Sequence, residues 1–336
     1  MKLGIIGSGM IVHDFLTTAD QIKNMTITAI SSTKRSEKIA QDLAQQYHIA
    51  RTYTDNDELL ADPEVDTVYV AVPNFLHYEV AKAALEHGKN VICEKPFVQS
   101  TAEAEELKKL ADEKDLIIVE AITNLYLENF KQIKAEIAKI APIHIINLNY
   151  TQYSSRYDTF LTGKIAPVFD PKKDGGALMD LNIYNIHLVA ALFGLPDQVQ
   201  YYANMQKGVD TSGILHLSYP DKQASLTAAK DSYVTPRSFI EGEKGSIYFD
   251  GSTGTLDNFT VEMRNEKPKR YSLNKYPHRM AAEFNAFAQM INQHDTQKAD
   301  LAFVNTLETM QILTKARNSM INYSQNFLNG DKQWKF

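Results

Sequence analysis

Between residues 3 and 121, five short β-rich runs (3–6, 26–31, 65–72, 90–93 and 116–121) alternate with stretches of helical spacing. No other feature restricts the chain as much. The helical stretches begin near Met10, cover 36–47, run over 75–86 to a stop at Gly88, and resume over 101–114. Ser100-Thr101-Ala102-Glu103 opens the last of these in the form of a capping box. Strands separated by helices in this rhythm imply βαβ units, and so an α/β domain with a doubly wound, Rossmann-type parallel sheet covered on both faces.

After about residue 122 the rhythm changes. A helical stretch (126–139) and a strand (143–150) precede a long irregular segment and a helix over 176–193. Several β-rich runs follow between 199 and 273, and two helices, 280–291 and 300–322, come last. This pattern predicts a second domain of α+β type with a large, mostly antiparallel open sheet. The expected division is 1–121 and 122–336, with the C-terminal helices able to pack back on the first domain. Apolar positions such as Ile214, Leu217 and Leu226 point to a sheet face without helical cover, and hence to a homodimer or homotetramer.

The first strand leads into Gly4-Ile5-Ile6-Gly7-Ser8-Gly9-Met10-Ile11-Val12, a G-x-G-x-x-V turn before a helix. Gly7 suits the tight turn, and Gly9 lets the backbone of Ser8, Gly9, Met10 and Ile11 approach a pyrophosphate. The third position is Val12 rather than Gly or Ala, so placement on the first βαβ unit carries the dinucleotide reading. A NAD site usually presents an acid to the ribose about 20 residues on. Here Ser32-Thr33-Lys34-Arg35 follows the second strand, with no carboxylate between Asp20 and Glu37. Hydroxyls and two cations suit a 2′-phosphate, so the residues point to NADP, with NAD the alternative; a solvated helix start is the other reading of this stretch.

The charge is −6, which argues against a broad surface for nucleic acid. No run approaches the roughly 18 apolar residues of a membrane span, and the opening run is too short for a signal segment. Cys93 is the single cysteine, which suits a reducing cytoplasm. Metal binding is not expected, because the nine histidines are scattered without an H-x-x-x-H pair. There is also no G-x-S-x-G elbow of a hydrolase.

Residues 4–12, Val70-Ala71-Val72-Pro73-Asn74-Phe75-Leu76-His77, Val91-Ile92-Cys93-Glu94-Lys95-Pro96 and residues 175–184 (GGALMDLNIY) occur in one order. In that order they resemble the Gfo/Idh/MocA oxidoreductases, over nearly the whole chain. The resemblance implies a nucleotide-binding domain and a substrate domain. It also implies an NAD(P)-dependent hydride transfer between the cofactor and a secondary alcohol or ketone of a sugar, polyol or related small molecule. Carried over residue by residue, Lys95, Asp180 and Tyr184 would be catalytic, and Pro73, Asn74, His77 and Glu94 would lie along the cofactor. The chemistry agrees with that set. A carbinol releases hydride only as its hydroxyl proton is taken, and a nearby ammonium favours the phenolate that can take it. Asp180 and Tyr184, at i and i+4, share a helical face. Isolated from these motifs, Glu94 and Lys95 would read as a surface ion pair.

Two departures bear on substrate. Asn182 stands where many relatives have Gly, and Thr123-Asn124-Leu125-Tyr126 stands where many have an arginine. Both touch the expected substrate wall, with Asn124 a candidate contact. Arg156 and Tyr157, on the irregular stretch, would bind substrate hydroxyls or a carboxylate, or else pack a subunit interface. Two rival functions stand beside the oxidoreductase: a nicotinamide-binding hydrolase with transient oxidation, and a catalytically silent NAD(P)-binding regulator.

Overall fold

The computed structural model describes residues 1–322, so residues 323–336 of the expected second domain lie outside the described part. The chain divides into two compact units: Met1–Leu127 with Lys275–Met310, and Glu128–Asn274 with the residues from Gln311 on.

The first unit contains β1 (Lys2–Ile6), α1 (Met10–Leu16), β2 (Thr26–Ser31), α2 (Glu37–Tyr47), β3 (Arg51–Tyr53), α3 (Asn56–Ala61), β4 (Thr67–Val70), α4 (His77–Glu86), β5 (Asn90–Glu94), α5 (Thr101–Glu113) and β6 (Ile118–Ala121). The sheet order is β3-β2-β1-β4-β5-β6, with every pair parallel. The order reverses between β1 and β4, the switch point where such sheets open a crevice at the carboxyl ends of their strands. All residues of β4 and β6 are buried, as strands covered on both faces require. The capping box of α5 is complete, with Ser100 Oγ accepting from Glu103 N and the Glu103 carboxylate accepting from Ser100 N. β3 and α3 were not expected; at three and six residues neither is long enough to display a period.

The second unit opens with α6 (Glu128–Ile140), β7 (Ile143–Thr151), α7 (Tyr157–Leu161) and α8 (Ile183–Phe193). It continues through β8 (Gln198–Gln206), β9 (Val209–Ser218), β10 (Gln223–Ala229), β11 (Arg237–Gly242), β12 (Gly245–Asp250), β13 (Phe259–Met263) and β14 (Lys269–Tyr271). The last elements of the chain are α9 (Met280–Asn292) and α10 (Thr296–Asn318), of which α9 and the first part of α10 belong to the first unit, and β15 (Ile321–Asn322). The nine-stranded sheet runs β14-β13-β12-β11-β7-β10-β9-β8-β15. Only β7·β10 and β8·β15 are parallel, so the sheet is mostly antiparallel. α6 packs on β12 and β13, and α8 on β7 and β10.

Sheet parity corrects one expectation. Ile214 does lie on the open face, at 46% exposure and paired with exposed Tyr202, and Ile145 and Phe239 are exposed elsewhere on the sheet. Leu217 and Leu226 are fully buried, because a residue an odd number of steps along a strand points to the opposite face. The apolar segment Pro171–Phe193 is long enough to cross a membrane, but 78% of its most apolar window is buried inside the protein, which makes it a core segment.

α9 belongs to the first unit and completes its core. Phe284 lies tilted against Phe15 with ring centres 4.2 Å apart and meets Tyr69 edge-on at 5.0 Å, while Phe287 meets Tyr126 at 4.9 Å. The first part of α10 contributes Phe303, edge-on to Phe97 at 5.3 Å.

Candidate active site

The turn after β1 is shaped by what it cannot hold. Gly7 has φ +123°, and a Cβ there would lie 2.2 Å from the Ala71 carbonyl oxygen; only glycine fits. Its N–H donates to Ser31 O at 2.9 Å, which ties the turn to the end of β2. Gly9 differs: an added Cβ would meet nothing within 4 Å, and no side chain caps the helix that follows. Ser8 and Met10 are exposed to solvent to differing degrees, Met10 at 68%, and Ile11 is half-buried. A tight glycine corner beside open backbone is the shape that a pyrophosphate needs.

Beyond β2, Ser32 is buried, whereas Thr33, Lys34 and Arg35 are exposed on a short 3₁₀ turn. Among the described residues, neither Lys34 nor Arg35 forms an ion pair. The chain has no carboxylate between Asp20 and Glu37, and exposed hydroxyl and cationic side chains here fit a phosphorylated ribose better than a bare one. Pro73 is exposed and Asn74 half-buried on the turn before α4.

His77 lies deeper than its motif suggested. It is fully buried, with Nδ1 2.9 Å from Pro96 O and Nε2 2.9 Å from Val72 O. Burial pushes its pKa down despite the two carbonyls, and a neutral ring donates to only one of them. Its side chain braces the Val72 and Lys95–Pro96 loops against each other.

Glu94 ends β5 and is almost completely buried. One of its oxygens accepts from the Tyr69 hydroxyl, and the other accepts from Lys95 N at 3.2 Å. The carboxylate therefore fixes the main chain of Lys95 rather than facing solvent. Burial raises its pKa, opposed by the Tyr69 hydrogen bond and the Lys95 and Arg279 charges. Glu283, on α9, is also buried, and one of its oxygens lacks a hydrogen-bond partner. Burial, and then the Glu94 charge, push its pKa well up. Asn124 is fully buried on the turn after β6.

In the second unit, residues 178–182 form a π-helical turn leading directly into α8, a widening that recurs at functional sites. Gly176 precedes it at φ +124°, where a Cβ would strike Asp210 at 1.9 Å. Asp210, at the start of β9, uses Oδ2 to accept from Leu178 N and from the Tyr201 hydroxyl, both at 2.7 Å. Burial pushes its pKa up to about 6, against those hydrogen bonds and the Lys230 charge. Asp180 projects from the π turn and pairs with Lys230. Tyr184 is 5% exposed, its ring 5.3 Å from that of Tyr150.

Asn182 is held by hydrogen bonds inside its own unit. It is fully buried, donating to Leu226 O at 3.1 Å and accepting from Asn185, so it anchors the turn to β10. Tyr157 likewise packs inward, among Phe160, Phe169 and Val209, with its hydroxyl donating to Gln206 at 3.0 Å. Arg156 stands half-buried at the start of α7. The structure thus gathers Gly7, Ser32, Pro73 and Lys95 at the carboxyl ends of one parallel sheet, and Asp180 and Tyr184 on one turn of another unit. Lys230 and Asp210 were not singled out by the sequence reading. Each meets its partner from 50 and 32 residues away, and no local motif announces them.

Comparison with known proteins matches two family profiles to the chain. The profile described as "Oxidoreductase family, NAD-binding Rossmann fold" (GFO_IDH_MocA) matches residues 1–121, and the "GFO/IDH/MocA C-terminal domain" matches 131–248. The chain is 33% identical to the scyllo-inositol 2-dehydrogenase (NADP(+)) IolU of Bacillus subtilis, over 95% of this chain and 97% of that one. It is 30% identical to the D-xylose 1-dehydrogenase (NADP(+)) of Hypocrea jecorina, over 74% and 71%. Among solved structures it superposes on KijD10, a 3-ketoreductase from Actinomadura kijaniata in complex with NADP and TDP-benzene. That match has a TM-score of 0.84 at 21% identity, over 96% and 98% of the two chains.

Proposed function

The chain belongs to the GFO/IDH/MocA oxidoreductase family, and on that premise we propose that it is an NADP-preferring dehydrogenase or reductase acting on a ring hydroxyl of a cyclic polyol or sugar. The observation that carries the reading is the 33% identity, across 95% of this chain, to an NADP-dependent scyllo-inositol dehydrogenase. The acid-free, cationic rim of Thr33, Lys34 and Arg35 supports NADP over NAD.

When bound, the nicotinamide accepts or returns the hydride. The residues of this chain do the rest. Ser8, Gly9, Met10 and Ile11 present backbone N–H groups to the pyrophosphate, and Ser32–Arg35 receive the 2′-phosphate. Pro73 and Asn74 line the dinucleotide, and Asn124 and Arg156 are further contacts on the substrate side. Asp180 accepts a hydrogen bond from a substrate hydroxyl. Tyr184 takes the proton of the reacting hydroxyl in the oxidative direction and returns it in reduction. Lys95, whose backbone N–H Glu94 holds, supplies a cationic partner for the oxygen that reacts. We place the enzyme in a reducing cytoplasm, where the buried Cys93 stays a thiol. We also propose that it works as a homodimer or homotetramer through the open sheet face, where Arg237, Phe239, Tyr248 and Glu262 line a cavity of about 320 Å³.

Turnover of inositols, hexoses and pentoses, followed at 340 nm with NADP⁺ and NAD⁺, tests the activity. Lys95→Met and Tyr184→Phe should each lower kcat on the order of 10²–10⁴-fold with little change in NADPH affinity, and the double variant should lose little more. Near-normal turnover in Lys95→Met would sink the mechanism.

A further inference from the structure

The end of β10 carries a buried cation. The Lys230 side chain is 3% exposed, and its Nζ donates to Asp180 Oδ2 at 2.6 Å and to Val168 O at 3.0 Å. The same nitrogen stands 4.8 Å from the centre of the Phe169 ring. We propose that Lys230 is a positioning residue that holds Asp180 as an ionised acceptor for one substrate hydroxyl, so that the polyol preference of the site depends on a buried lysine. This rests on the reading of Asp180 as a substrate contact.

The arrangement is asymmetric in the way such a role requires. Lys230 is nearly inaccessible, whereas the Asp180 side chain is 31% exposed. An ammonium on the inner side and a carboxylate with an accessible edge leave the acid, not the base, to meet a ligand. A carboxylate paired with an ammonium is acceptor-only. It rewards a hydroxyl that can donate and gives nothing to a deoxy position, and a keto oxygen there would be repelled.

The lysine is held from three sides. Its own N–H donates to Thr211 O at 2.8 Å, which fixes the backbone where β10 leaves its pairing with β9. Phe169 is kept under the ammonium by Phe160, stacked at 4.7 Å, and by Tyr157 at 5.9 Å. The third restraint is the Val168 carbonyl. Two other acids are near: Asp210, whose charge interacts with Lys230, and Asp231, whose carboxylate accepts from the hydroxyls of Thr211 and Ser212. Burying an ammonium is costly unless it is paired and hydrogen-bonded. A chain that needed only to fasten residues 168–180 to β10 could use an apolar side chain here. The pairing with Asp180 gives the charge a use.

The test is a double-mutant cycle on the full-length enzyme. The probe is scyllo-inositol or, should that polyol not turn over, the best substrate of the polyol screen. Lys230→Met should raise KM on the order of 10–100-fold, with kcat changed less and NADPH affinity unchanged. Lys230→Arg should recover most of that loss, because a guanidinium can still pair with Asp180. The Asp180→Asn/Lys230→Met double variant should be no worse than Asp180→Asn alone, within about twofold. If Lys230→Met fails to fold, the double variant decides, since it buries no unpaired charge. An unchanged KM in Lys230→Met, no recovery with arginine, or a double variant clearly below Asp180→Asn would overturn the inference. Normal kinetics in Asp180→Asn would instead remove the assignment of Asp180 itself.

Discussion

The two units support their candidate site residues by different physical means. In the first, the supports are largely main-chain devices. Gly7 fits where no side chain can, His77 lies between two carbonyls, and Glu94 receives the N–H of the residue it aims. In the second, the π turn bearing Asp180 is held by buried side-chain charges, Asp210 on the Leu178 N–H and Lys230 on Asp180 itself. The glycine corner itself is insensitive to pH and intolerant of added atoms. The charged supports of the second unit respond to pH as well. The first unit thus presents a rigid turn to a cofactor common to many enzymes, while the second tunes the part that meets a particular substrate.

Three experiments bear on that contrast. Gly7→Ala should be the most damaging, because its Cβ would lie 2.2 Å from a backbone oxygen at φ +123°. A loss of roughly 4 kcal/mol, or failure to accumulate folded protein, is expected at every pH. A well-folded Gly7→Ala enzyme that binds NADPH normally would break the account of the first unit.

The next effect in size is pH-dependent and belongs to the second unit. Asp210 has a folded pKa of about 6, above the ordinary 3.8. The folded state therefore holds its proton more tightly than the unfolded chain. The stability this contributes is complete below pH 3.8 and is lost as pH rises through about 6. Asn cannot titrate, so the stability of the wild type relative to Asp210→Asn should fall by up to about 3 kcal/mol between pH 4 and 7. Denaturant melts at several pH values would show it; parallel curves would mean that this support is not ionic.

The smallest effect lies at the rim of the first unit. Lys34→Ala and Arg35→Ala should each weaken NADPH binding about tenfold, roughly 1.4 kcal/mol, and leave NADH binding and melting temperature nearly unchanged. Equal losses for both dinucleotides would mean that these cations do not read the 2′-phosphate.

The same contrast explains what could be read in the sequence. The parallel sheet, the glycine turn and the capping box of α5 are written in contiguous residues with a period or a spacing, and each appears within a residue or two of its place. The buried ion pair leaves no such mark, because Asp180 and Lys230 lie 50 residues apart and a lone lysine after a strand looks like any solvated one. The packing of Tyr157 and Asn182 was hidden for a related reason. Aromatic and amide groups beside a candidate site look like ligand contacts in one dimension, and only packing shows that Phe160, Phe169 and Leu226 claim them first. His77 was found for its motif, but its burial and double carbonyl contact belong to the tertiary structure.

The return of α9 to the first unit has a consequence for biosynthesis. Phe15 and Tyr69 leave the ribosome early, but the Phe284 and Phe287 rings that close over them and Tyr126 are encoded far downstream. At about 5–20 residues per second the nascent chain must wait on the order of ten seconds or more for those partners. During that interval Phe15, Tyr69 and Tyr126 lack the Phe284 and Phe287 partners they have in the folded protein. A stalled or truncated product ending before residue 280 would never gain those partners, and so become a client for chaperones or proteases rather than an independent nucleotide-binding protein.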